Sequence, residues 1–140
     1  MALPVVLLAP VTTTAGAKTN IASTPVSIPG TWNAMAFVLD VTAAATATAD
    51  TLNVKVQVRL DGTNWLDVCA FTEVVGDGGA KRHIAKINAD IAQAMFENGA
   101  ALTAGNVRNL LGEVWRVIYT QVDDATQDAS FTFGVVACPM

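Results

Sequence analysis

Charge is scarce in this 140-residue chain: Asp, Glu, Lys and Arg make up 14% of it, against about 25% in an average soluble domain. A surface so sparsely charged is expected to be partly covered. The net charge of −4 leaves no basic footprint, which argues against a nucleic-acid partner. Histidine occurs once, as His83, beside Lys81 and Arg82. A general base needs a nucleophile and an orienting group. The only serines, Ser23, Ser27 and Ser130, lack a nucleophile-elbow context, so His83 reads as a solvated residue at a strand start. Cys69 and Cys138 have no C-x-x-C spacing and lie in apolar surroundings. They read as buried free thiols, with a disulfide the lesser alternative and a zinc or redox site not suggested. Long apolar runs are also missing. The opening M-A-L-P-V-V-L-L-A-P has no Lys or Arg before its short apolar stretch, and Pro4 and Pro10 bracket that stretch. Neither a signal peptide nor a membrane span is expected there. Residues 76–79 are glycine-rich but run into a strand rather than a helix, so no phosphate-binding loop is implied.

What is present is alternation. Leu52, Val54, Val56, Val58 and Leu60 are apolar, and Asn53, Lys55, Gln57 and Arg59 fill the gaps. Side chains on a strand point alternately to opposite faces, so this segment has one dry and one wet face. D-G-T-N-W at 61–65 then supplies turn chemistry. Met35, Phe37, Leu39 and Val41 repeat the pattern, as do Phe131, Phe133 and Val135, while residues 113–122 carry bulk on both faces and read as a central strand. Residues 42–51, rich in Ala and Thr, read as a connection. Between 88 and 99 the pattern changes: Asn88 or Asp90 caps, Ile91 and Met95 lie four apart, and Gly99 ends the stretch, which predicts one short helix. Seven or eight strands with turn signals between them predict an all-β chain, a single antiparallel β-sandwich for which a jelly roll is one form.

Four of the five prolines fall in residues 1–30. Proline removes a ladder donor, which confines strand pieces near 5–9 and 21–28 to sheet edges or to a neighbouring chain. The expected organisation is an extended N-terminal arm over 1–30 and a sandwich domain over 31–140. Candidate partner contacts are Val5, Val6, Leu7, Leu8, Ile21 and Ile28 in the arm, with Trp32 as anchor. Lys55 and Arg59 on the wet face of their strand complete the set. Trp32, Trp65, Trp115 and Tyr119 offer a sugar-stacking platform as an alternative to a core role. Asp123, Asp124 and Asp128, joined by Asp50, have the oxygen chemistry of a calcium loop. Turn chemistry accounts for them as well and is the preferred reading. No catalytic residue, cofactor or metal is expected.

L-D-V-T-A-A at 39–44 precedes an Ala/Thr spacer, L-N-V-K-V-Q-V-R-L-D-G-T-N-W-L-D-V at 52–68 and A-F-T-E-V at 70–74. E-V-W-R-V-I-Y-T then precedes S-F-T-F-G-V-V-A at 130–137. This pattern resembles small β-sandwich structural proteins of tailed bacteriophages, including capsid decoration (cement) proteins. It covers residues 34–137, with the stretch 88–112 outside the usual pattern. The resemblance implies a non-enzymatic virion component, assembled in the host cytoplasm, that binds the major capsid protein or other virion subunits and forms a homo-oligomer. It implies neither nucleic-acid nor membrane binding. A head–tail junction or tail position is also compatible with it, and a carbohydrate-binding module is the rival reading.

Overall fold

A computed structural model describes residues 3–97, 99–124 and 126–140. These form eleven strands: β1 (Val5–Thr12), β2 (Lys18–Ala22), β3 (Val26–Ser27), β4 (Ala34–Ala43), β5 (Thr51–Arg59), β6 (Trp65–Ala70), β7 (Val74–Val75), β8 (Lys81–Asn88), β9 (Asn106–Val107), β10 (Val114–Val122) and β11 (Thr132–Pro139). All pairings are antiparallel. One sheet runs β1-β11-β4-β8. The other runs β2-β10-β5-β6-β9, with β3 added on β10 and β7 on β5.

The alternation in the sequence sets which side of each strand is dry. Met35, Phe37, Leu39 and Val41 of β4 are buried, as are Val54, Val56 and Val58 of β5 and Phe133 and Val135 of β11. They form one core with Trp115 and Val117 of β10. The sheets meet face to face through aromatic pairs. Phe37 of β4 lies 5.5 Å from Trp115 of β10, tilted by 57°. Phe133 of β11 meets Tyr119 of β10 nearly edge-on at 5.1 Å. Such tilted and edge contacts suit the ring quadrupoles. As its bulk on both faces implied, β10 is an interior strand, paired with β5 on one side and with β2 and β3 on the other.

Three expectations change. The first is the helix over 88–99: among the described residues there is none. Ile91 is 55% and Met95 100% exposed, so the stretch has no buried apolar face, and short helices depend on such packing. The capping groups serve turns instead, with the Asn88 side chain accepting the Asp90 N–H at 2.8 Å. The second is the arm over 1–30. Its described part is woven into the same two sheets, with β1 paired to β11, and β2 and β3 to β10. The prolines do keep these strands at sheet edges, but the edges belong to their own domain. Leu7 and Ile28 are buried in the core. Gly134 lets β1 come close: a Cβ there would sit 3.1 Å from the Leu8 carbonyl oxygen and 3.2 Å from the Pro10 nitrogen. The third is His83. It lies within β8, on the same strand phase as buried Ile87, and is half-buried rather than solvated.

Phe133→Ala is expected to cost about 3–5 kcal/mol in urea unfolding, and Val136→Ala, on the opposite face of β11, less than about 1 kcal/mol. Equal losses would contradict this assignment of faces.

Candidate functional site

The nine expected contact residues do not form one surface. Leu7 and Ile28 are core, and Val5 and Trp32 pack against it half-buried. Trp32 also closes over Gly30, where a Cβ would fall 2.9 Å from its ring. Ile21 is exposed on edge strand β2. Val6 and Leu8 line a groove on the outer face of the four-stranded sheet. Lys55 and Arg59 belong to the other sheet and are engaged there, as described below.

The outer face of the four-stranded sheet carries an apolar strip. Val6 pairs with Val136, Val136 with Val38, and Val38 with Ile84. One row of branched side chains therefore crosses all four strands. Val6 is 53% and Ile84 72% exposed. In the adjoining row Cys138 and Ala36 are apolar, and the row ends at exposed Lys86 of β8. On the other side the row ends at Asp40 and Arg82, an exposed ion pair at 3.4 Å. Pro4, Val6, Leu8, Val38, Val136 and Cys138 line much of a shallow groove of about 410 Å³. The strip combines apolar side chains with solvent access. Sequence reasoning credited Val6 and Leu8 but not Val38, Ile84 and Val136. The signal was there, since Val38, Ile84 and Val136 are apolar residues in the wet phase of their strands.

The outer face of the larger sheet is polar and internally paired. Lys55 Nζ donates to Asp67 Oδ2 at 3.0 Å, Gln57 Nε2 to Asp67 Oδ1 at 2.7 Å, and Arg116 Nε to Gln57 Oε1 at 2.8 Å. The Leu102 N–H also donates to Asp67, which folds the 99–104 loop over this face. Burial opposes ionisation of Asp67, but the hydrogen bonds from Gln57, Leu102 and Lys55 and the charge of Lys55 outweigh it and hold the carboxyl below its ordinary value. The guanidinium groups of Arg116 and Arg59 lie 4.3 and 5.1 Å from the centre of the Trp65 ring. Burial and the charge of Arg59 lower the Arg116 pKa from its ordinary value. Of the four residues considered for a sugar platform, Trp115 is fully buried and Trp32, Trp65 and Tyr119 are half-buried.

Groups able to do acid–base or nucleophilic work stand apart. His83 Nε2 is buried and has no hydrogen-bond partner among the described residues. Cys69 and Cys138 are free thiols, and burial pushes Cys69 up to about 12, away from the thiolate that a nucleophile requires.

One end of the sandwich gathers polar groups from distant segments. Gln121 lies in the dry phase of β10 and is buried. Its Oε1 accepts from the Thr13 hydroxyl, and its Nε2 donates to the carbonyls of Thr14 at 3.0 Å and Gly16 at 2.9 Å. Beside it, one oxygen from each of Asp50, Asp123, Asp124 and Asp128 lies within 4.8 Å of the others. The Asp124 N–H stabilises the Asp50 carboxylate, but burial and the charges of Asp124, Asp123 and Asp128 prevail and raise Asp50 above its ordinary value. Asp124 is held below its ordinary value by the Thr126 hydroxyl and N–H.

No family model matches this chain, and no curated protein matches it in sequence.

Because Asp67 is depressed in the folded protein, its contribution to stability is full above the unfolded-state value of about 3.9. It is lost as pH falls below that value and through the folded one. Urea melts between pH 2.5 and 6 should therefore show a steeper acid loss for the native chain than for Asp67→Asn; parallel profiles would contradict the network.

Proposed function

We propose that this chain is a non-enzymatic structural subunit of a tailed-phage virion, a jelly-roll sandwich acting as a capsid decoration or cement protein. Its partners are the major capsid protein or other virion subunits, together with further copies of itself. The strand orders β1-β11-β4-β8 and β2-β10-β5-β6 are those of two interleaved Greek keys, which supports the jelly-roll reading. The sequence resemblance at 34–137 supports the virion assignment. The observation that carries a binding role is the apolar row Val6–Val136–Val38–Ile84 on an outer sheet face. Left in water, such a face is an aggregation hazard; covered by a partner, it supplies adhesion without any directional chemistry. Its mechanism is mechanical: copies bound across joints between shell subunits stabilise the bound state in proportion to occupancy.

The test is the composition of particles purified from the producing strain. The chain should be present in many copies per particle, and its position distinguishes the shell from a head–tail or tail site. Val38→Lys should lower occupancy by about tenfold or more while leaving the melting temperature of the free protein nearly unchanged. Absence from particles, or full occupancy by a folded Val38→Lys protein, would overturn the reading.

A further inference from the structure

We propose that Asp50, Asp123, Asp124 and Asp128 form a calcium site that clips the connection before β5 to the β10–β11 loop. Four carboxylates converge here, with one oxygen of each within 4.8 Å of the others. Calcium takes oxygen ligands at about 2.3–2.6 Å, so ligands on opposite sides of the ion stand about 4.6–5.2 Å apart. Magnesium usually keeps several waters and is held by one or two carboxylates, so a set of four carboxylates suits calcium.

The cluster alone would be a polar turn. Asp124 and Asp128 accept from the Thr126 hydroxyl, and Asp124 from the Thr126 N–H at 2.8 Å, as loop carboxylates commonly do. Asp50 is different. It comes from another loop and is fully buried. The Asp124 N–H, at 2.8 Å from its Oδ1, turns its carboxylate toward the acidic loop. Its Oδ2 is buried and takes no hydrogen bond from any described group. A buried carboxylate oxygen without a partner is costly, and this carboxylate has one oxygen within 4.8 Å of an oxygen of each of the other three. Among the described residues, no Lys, Arg or His forms an ion pair with any of the four. A hard divalent cation is the ligand that would satisfy both the stranded oxygen and the uncompensated charge.

The surroundings hold these groups in place. Asp123 accepts the Gly16 N–H at 2.5 Å and the Ala129 N–H at 3.3 Å, which ties the β1–β2 turn and the start of the last segment to the cluster. The Asp50 carbonyl accepts the Gly76 N–H at 2.8 Å. Gly76 is needed for space: a Cβ there would lie 1.9 Å from the Ala47 carbonyl oxygen. A bound ion would thus join three connections at one end of the sandwich and stabilise the folded state by mass action.

The experiment compares metal-stripped full-length protein with and without 2 mM calcium chloride, by thermal melting and by titration calorimetry. The melting temperature should rise by about 5 °C, with heat of binding for one ion per chain. Magnesium chloride at the same concentration should give less than half that rise. Asp50→Asn should abolish the response. Should that variant fail to fold, Asp128→Asn, on the exposed side, should weaken binding about tenfold or more. No shift and no heat in the native protein would overturn the proposal. So would an equal response to magnesium, or a full calcium response in folded Asp50→Asn protein or, where that variant fails to fold, in Asp128→Asn.

Discussion

Face-to-face burial between the two sheets is the constraint on which the rest of this structure depends. Trp115 on β10 must meet Phe37 on β4, and Tyr119 must meet Phe133. Because side chains alternate, a one-residue slip of any long strand would turn its apolar set outward. The register of β4, β5, β10 and β11 is therefore fixed by the same contacts that make the core. With that face committed inward, what remains for function is the outer face of each sheet and the loops at the ends.

The two outer faces differ in kind. On the larger sheet, Asp67, Gln57, Lys55 and Arg116 satisfy one another, and the 99–104 loop covers part of the network. That face has little unmet demand for a partner. On the smaller sheet the row from Val6 to Ile84 faces outward, with Val6 and Ile84 exposed and Val38 and Val136 half-buried. The low charge content of the chain has its physical counterpart here: apolar residues occupy both sides of the four-stranded sheet.

Strand faces were legible in the sequence because alternation is local. Leu52 to Val58 and Phe131 to Val135 declare their dry sides without reference to any partner, whereas Leu60, beyond the end of β5, is 50% exposed. Pairing was not legible, since it depends on which edge is free. The prolines of 1–30 correctly marked edge strands, but nothing in them says whose edge, and β1 closes its own sheet against β11. The helix expectation rested on capping residues and spacing, and it failed because Ile91 and Met95 find nothing to pack on. Asp50 and Asp124 are 74 residues apart, so their meeting follows from the loops that the topology brings to one end. Gln121 did leave a trace, as a polar residue in the dry phase of β10, where Trp115 and Val117 precede it.

The central claim is that the outer face of the four-stranded sheet is covered in the working state. Cys138 lies in that face, half-exposed, whereas Cys69 is buried in the core. Maleimide labelling of free subunit and of particle-bound subunit compares the face in both states, with Cys69 as the internal reference. The account predicts rapid labelling of Cys138 in the free chain and at least tenfold slower labelling in the particle, with Cys69 protected in both. Equal rates at Cys138 in the two states would contradict it.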